Sequence, residues 1–398
     1  MARKYYRKFR RIRREGQNSS TVLSIRAALK TTRVRSIIGV VLVIAVFSGI
    51  YLYNRYNKYS DYKVVKSIKI DGGADSKYVP FGKFVVKYSS DGISYIDGKE
   101  TIWDDAHEMK APIVDVCGEY LAIADKNTND IFIYNKKGKQ GKVSTSYPIT
   151  KLEIAEQGVV SALLEDENAN YIEVYDKEGK QLVSHKTLID EGGYPLNFSL
   201  SDDGTKMMVS YILINNGTLS NKVRFYNFSK AGKNSADRMV GEFGQYQETI
   251  VPTVQFVSNN DAVAVGDNLL STYKMKEKPN LKKEIKFKDE IRKVFYNEDY
   301  VGLVFKNTNS KNPYRVEIYN LNGSRVMKSD IMMDFDTIQF AGKNVLMYND
   351  MNCQIISLKG VKKFEHTFKG EISGIIPLDG SRTYLFMTST AIEKVRLK

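Results

Sequence analysis

From about residue 62 onward, one unit recurs along this chain. It is an apolar strand, a polar turn, a second strand that tends to end in an aromatic, and a charged turn that often carries Gly. The copies are GKFVVKYSSDGISYIDGKE (82–100), EYLAIADKNTNDIFIYNKKGK (119–139), GVVSALLEDENANYIEVYDKEGK (158–180) and TKMMVSYILINNGTLSNKVRFYNFSKAGK (205–233). They continue with DAVAVGDNLLSTYKM (261–275), DYVGLVFKNTNSKNPYRVEIYNLNGSR (299–325), KNVLMYNDMNCQIISLKG (343–360) and RTYLFMTSTAIEKVRLK (382–398). The second strands of neighbours lie roughly 37 to 51 residues apart, and each period has room for two more strands, such as Lys99–Trp103 and Ile113–Cys117. A four-stranded sheet buries neither face alone. Packing it between two like sheets buries both, and closing the row into a ring removes the unpaired ends. Self-similarity at about 40 residues therefore predicts an all-β fold, an eight-bladed β-propeller. Seven blades is the alternative, because the fifth copy is weak. An array of two-sheet sandwiches explains the even spacing less well.

The ends of the repeat predict how the ring closes. The last copy stops at Lys398 with two strong strands and lacks an outer one, while Tyr62–Ile70 (YKVVKSIKI) precedes the first copy without partners. The expectation is that this segment completes the last blade. The fourth unit is the longest, with an extended hairpin followed by a polar linker in which Ser235–Val240 could form one helical turn. Long loops carry function disproportionately, so Asn216, Lys230, Lys233, Asn234 and Arg238 form a candidate partner loop.

Charge is distributed unevenly. The net charge of +14 divides into +11 on residues 1–35, with Glu15 the single acid there, and +3 on the rest. A global nucleic-acid-binding surface is not supported, and no nucleic-acid partner is expected. Ser36–Tyr53 (SIIGVVLVIAVFSGIYLY) is free of charge over eighteen residues, a length of roughly 27 Å as a helix, close to the bilayer hydrocarbon. Arg33 and Arg35 precede it, Arg55 and Lys58 follow it, and Tyr51, Tyr53 and Tyr56 suit an interfacial belt. A transmembrane helix over 36–53 is expected, acting as an uncleaved signal anchor because no A-x-A-like site follows the run. The positive-inside rule then places the basic tail (1–35) in the cytoplasm and sends the linker (54–61) and the propeller (62–398) outside: a single-pass type II protein of the cell membrane. Arg7, Lys8, Arg10, Arg11, Arg13, Arg14, Arg33 and Arg35 set this topology. Tyr5, Phe9 and Ile12 share one helical face among these cations, as expected of a helix lying on anionic lipid.

Catalytic signatures are lacking. The chain has no G-x-S-x-G, P-loop, H-E-x-x-H or G-x-G-x-x-G motif, and its two cysteines form no C-x-x-C. No catalytic residue, cofactor or metal site is assigned. Ser201–Lys206 (SDDGTK) reads as a hairpin turn, and Glu165–Asn168 as a solvated loop lacking the alternating oxygens and Gly of a Ca²⁺ site. His107, His185 and His366 are expected exposed at turns, and Cys117 and Cys353 as free buried thiols on different blades. The single Trp103 excludes both the tryptophan docking ring of quinone-dependent dehydrogenases and a repeated Trp-Asp ending. Tyr134, Tyr175, Tyr226 and Tyr319 end strands at equivalent places and read as packing between blades.

Residues 221–243 (NKVRFYNFSKAGKNSADRMVGEF) and 251–268 (VPTVQFVSNNDAVAVGDN) resemble a family, of unknown function, of single-pass propeller proteins from low-GC Gram-positive bacteria. The F-Y-N-F and V-x-F-V-S-N-N-D segments carry the likeness, which extends over roughly residues 36–398. It implies membrane anchoring and a quinoprotein-like or WD40-like propeller. It supplies no catalytic residues.

The function expected from these features is a non-enzymatic, extracytoplasmic scaffold that binds cell-envelope proteins or wall components. The alternative is a glycan-active hydrolase or lyase with its site at the propeller mouth. Carboxylates clustered inside one mouth of the channel would favour the alternative. A sensor acting through the helix is a third reading, but the sequence shows no cytoplasmic output domain.

Overall fold

The computed structural model describes residues 32–70, 76–215, 217–247, 249–307, 311–378 and 382–398. They fall into two compact units that divide between Lys58 and Tyr59. The first contains helix α1, Thr32–Tyr56. It is longer than the apolar run at both ends, because Thr32–Arg35 and Asn54–Tyr56 continue its turns. Its described side chains, those of Ser36, residues 39–49 and Tyr56, are all exposed. Among the described residues no helix is long and apolar enough to cross a membrane. Arg7, Lys8, Arg10, Arg11, Arg13 and Arg14 lie outside the described residues, as do the side chains of Arg33 and Arg35.

The second unit is a ring of eight four-stranded antiparallel meanders. Blade 1 is β2–β5 (77–106), blade 2 β6–β9 (112–144), blade 3 β10–β13 (149–188) and blade 4 β14–β17 (194–247). Blade 5 is β18–β21 (253–286), blade 6 β22–β25 (291–331), blade 7 β26–β29 (337–367) and blade 8 β30–β32 (374–397) with β1, Tyr62–Lys69. The sheets are separate, so the sandwich array is excluded, and the weak fifth copy makes a full blade. A four-residue helix, α2 (Ile189–Gly192), joins blades 3 and 4.

The second strand of each blade is buried on both faces, which is why these strands read as apolar runs; β11, Val160–Glu165, is buried from Val160 to Leu164. The fourth strands alternate exposed and half-buried, as in β5, Thr101–Ala106. Eight apolar clusters fill the joints, one for each neighbouring pair of blades. The cluster of Phe84, Val85 and Ile96 with Ile376, Leu385, Met387 and Ile392 lies between blades 1 and 8 and closes the circle. As the sequence predicts, β1 is the outer strand of blade 8, pairing antiparallel with β32, Ala391–Leu397, from Tyr62↔Leu397 to Lys69↔Ala391.

Local expectations fare variously. Ser201–Lys206 is a hairpin turn in which Gly204 adopts φ +64° and the Ser201 amide donates to the Lys206 carbonyl. Ala236–Arg238 makes one 3₁₀ turn. The strand-end tyrosines do pack between blades, and each hydroxyl is bonded: Tyr134 to Asp105 at 2.7 Å, Tyr319 to Glu317 at 2.6 Å, Tyr175 to Glu173, and Tyr226 to Tyr211. The histidines are not exposed. His107 directly follows β5, while His185 and His366 lie in fourth strands, and all three are half-buried. Alternate positions of a fourth strand face the aromatic residues beside them. His107 stacks on Phe132 at 4.1 Å, His185 meets Tyr226 at 4.9 Å, and His366 meets Tyr62 at 5.0 Å. Cys353 is buried as expected, but Cys117 is only half-buried because it ends an inner strand that lines the channel.

Candidate functional site

In each blade the innermost strand enters from the end of the disk that carries the loops between blades. It leaves at the end that carries the first hairpin turn. The linking loops and second turns share one end, here the linker end; the first and third turns share the other, here the turn end. A cavity of about 1040 Å³ opens between the inner strands of blades 2 to 6. These strands are β6 (Pro112–Cys117), β10 (Ile149–Ile154), β14 (Tyr194–Leu200), β18 (Thr253–Phe256) and β22 (Ile291–Tyr296).

Most polar side chains on these strands tie one blade to the next. Asp115 on β6 accepts from the Ile154 amide of β10 at 2.7 Å. Lys151 on β10 donates to Glu153 at 3.0 Å, to the Phe198 carbonyl of β14 at 2.5 Å, and to Asn197. The second oxygen of Glu153 accepts from the Leu200 amide at 2.7 Å. Asn197 donates to the Pro252 carbonyl at 2.9 Å, and Ser199 accepts from the Phe256 amide at 3.0 Å. Tyr296 on β22 donates to Gln255 of β18 at 2.7 Å. The same device continues around the ring, where Lys293 reaches the Asp336 carbonyl at 2.6 Å and Gln339 the Ile375 carbonyl at 2.7 Å. These ties join blades 2 through 8 in sequence.

Carboxylates gather toward the turn end. Burial pushes the Glu153 carboxyl up to about 7, with Lys151 opposing the rise and the charge of Asp115 adding to it. Burial likewise raises Asp115. In the turns at this mouth Asp202 is raised by burial and then by Glu156, Glu298 and Asp203. Cys117 is pushed up to about 12 by burial, then by Asp202 and Asp115. Tyr296 remains 42% accessible from within the channel, and burial together with the charges of Glu153 and Asp115 holds its phenol protonated. The inward clustering that the enzymatic alternative expects is thus present. Both oxygens of Glu153, however, are bonded to Lys151 and the backbone. Among the described residues no group of His, Cys, Asp and Glu is placed to hold a metal ion.

The candidate partner loop is not a single surface. Lys230, Lys233 and Asn234 are exposed at the turn end, where Arg238 folds back to donate to the Phe228 and Ser229 carbonyls at 3.5 and 3.3 Å. The other extension is the hairpin of β15 (Lys206–Asn215) and β16 (Thr218–Asn227), whose tip pairs Asn215 with Thr218 at the linker end. Asn216 lies outside the described residues. Sequence reasoning missed Asp115, Glu153 and Tyr296, which occupy ordinary strands of three different blades.

No curated protein matches the chain. Among solved structures it is similar to Sqt1 of Saccharomyces cerevisiae, with 8% identity and a TM-score of 0.57, over 86% of this chain and 100% of that one. It is also similar to Chaetomium thermophilum Sqt1 bound to the N-terminus of the ribosomal protein L10, with 9% identity and a TM-score of 0.55, over 85% of this chain and 100% of that one. At such identities the likeness establishes the WD40-like propeller fold alone. The family of unknown function DUF5711 matches residues 55–397, and the chain belongs to that family.

Proposed function

We propose that this chain is a membrane-tethered binding module whose propeller presents the linker end of its disk to a protein partner in the cell envelope. One observation carries the reading. Outside the outer strands and Tyr296, the large apolar side chains exposed among the described propeller residues are Ile189, Ile214, Ile250, Met332 and Met351. All five lie on the linking loops or at the second hairpin turns, hence at one end. Apolar side chains gathered on one face of a soluble domain mark a contact surface, whereas the third turns at the other end carry Lys136, Lys137, Lys177 and Lys180.

Anchoring and orientation rest on the sequence: eighteen uncharged residues within α1, preceded by twelve cations. The N-terminus stays in the cytoplasm, the tail lies on anionic lipid, and the disk is extracytoplasmic. The Gram-positive source suggested by the resemblance fits this placement. A propeller of the same fold, Chaetomium thermophilum Sqt1, is described bound to a protein N-terminus, which supports protein rather than wall polymer as the partner class.

The test places a photo-reactive residue at Ile214 or Met332, and at Lys180 or Lys233 on the other end, in the full chain in native cells. Adducts of one defined mass from the first pair only, abolished by Ile250→Asp, support the reading. Adducts from the second pair, or from none of the four, overturn it.

A further inference from the structure

We infer that the turn-end half of the central channel binds a neutral polyhydroxylated ligand of the saccharide class, held by Asp115 and by the ring and hydroxyl of Tyr296. Three independent observations converge on this chemistry. The first is space. The cavity of about 1040 Å³ has the size of a small-molecule site and takes several pyranose rings. Its walls are made rigid by the ties between inner strands, so the site is formed before any ligand arrives.

The second is the set of groups left to make new bonds. Lys151 uses its three donors on Glu153, Asn197 and the Phe198 carbonyl, and Glu153 and Asn197 are engaged as well. Asp115 accepts from the Ile154 amide of the next blade and from the amide of Val116, and a carboxylate can accept about four bonds. Tyr296 donates to Gln255, which leaves its oxygen free to accept, and the residue is 42% exposed and lines the cavity. An aromatic face and a carboxylate lining one cavity suit a sugar ring, which offers C–H groups on its face and hydroxyl donors at its edge.

The third is the sign of the charge. The cations of the wall are already neutralised or engaged: Lys151 by Glu153 at 3.0 Å, Arg292 by Glu290 at 2.9 Å, and Lys293 by carbonyls of the next blade. Asp115 and Asp202 line the same cavity and form no ion pair among the described residues. An anionic ligand would meet uncompensated carboxylates, whereas hydroxyl donors would satisfy them.

The inference does not depend on a protein partner at the linker end, and the residues tested are different. The experiment uses the full chain in lipid nanodiscs, without sugar-headed detergent, and isothermal titration calorimetry. The probes are chitotriose, maltotriose, trigalacturonate and calcium chloride. At least one neutral trisaccharide is expected to bind with a Kd of about 1 mM or tighter. Asp115→Asn keeps an acceptor for the Ile154 amide, and Tyr296→Phe keeps the ring but loses the bond to Gln255; each is expected to weaken binding about tenfold in a protein that still unfolds in one cooperative transition, with a lower midpoint in Tyr296→Phe. Hydrogen exchange should slow on β6, β10 and β22 when the sugar binds. The inference is overturned if neither neutral sugar binds up to about 10 mM, if both variants bind the sugar as tightly as the parent chain, or if trigalacturonate or calcium binds more tightly.

Discussion

If β1 is the clasp of the ring, weakening it should open blade 8 before any other. Tyr62→Ala is the sharpest perturbation, because the rest of β1 is nearly all exposed and contributes little burial. The Tyr62 ring packs edge-on against His366 and Phe386, both at 5.0 Å, and lies 6.4 Å from Phe368. Truncating a fully buried aromatic residue costs about 3–5 kcal/mol, and aromatic pairs account for about 0.5–1.5 of that each. Tyr62 is half-buried, so the cost worked from these contacts is about 2 kcal/mol. Exchange through local opening would then speed up about thirty-fold. Native-state hydrogen exchange on the full chain reads this directly. The acceleration should be confined to β1, β32 and the adjoining part of blade 7, with β6–β9 unchanged. Val65→Ala is the control, because Val65 is 59% exposed and falls at the register shift in the pairing. Acceleration spread evenly over all blades, or equal effects at Tyr62 and Val65, would refute the clasp.

Further predictions concern the packing and the channel. Gly302 lies under the Phe295 ring, so Gly302→Ala should cost about 1–3 kcal/mol by denaturant titration instead of the usual small gain, and Phe295→Ala should remove most of that penalty. The Glu153 carboxyl is held up at about 7 against an ordinary 4.5, so the folded state binds more protons in that window and stability falls as pH rises through it. The fall is on the order of 3 kcal/mol at most, and denaturation midpoints at pH 5 and pH 7.5 should converge in Glu153→Gln. Tyr134→Phe deletes a hydroxyl bonded to Asp105 at 2.7 Å and to His107 at 2.9 Å, and should cost about 1–3 kcal/mol in the same assay. With both thiols pushed up to about 12, Cys117 and Cys353 should alkylate at pH 7.5 about a thousandfold more slowly than free cysteine, measured by intact mass.

The architecture was legible because blade burial leaves a periodic mark. Each second strand sits between two neighbouring sheets and must be apolar on both faces, as in Leu121–Ala124 and Val263–Val265, and this recurs once per blade. The closure was legible for the same reason: an unpartnered strand at one end matched a missing strand at the other. The histidines were misread because a fourth strand looks polar in sequence although its alternate side chains rest on neighbouring aromatics, as His185 does on Tyr226. The channel was invisible. Asp115, Glu153 and Tyr296 are separated by up to 181 positions and belong to strands whose composition is ordinary for a propeller. Their convergence is produced by ring closure, which no local pattern encodes. The candidate partner loop shows the converse limit, since the extra length of blade 4 is divided between both ends of the disk.

The inner strands also explain why such a channel is hard to diagnose by deletion. A side chain such as Lys151 both lines the cavity and holds blade 3 to blade 4, so removing it leaves Glu153 buried without its cation and the Phe198 carbonyl without a donor. Loss of one partner of a buried ion pair costs about 3–5 kcal/mol, and any loss of binding would then be indistinguishable from loss of the ring. Asp115 and Tyr296 differ because Asn and Phe keep the shape of the wall while changing the group offered to a ligand. A channel with a purely structural role should respond to these replacements only through stability. A binding channel should also lose affinity in the protein that stays folded, so measuring both separates the two roles even before the ligand is identified.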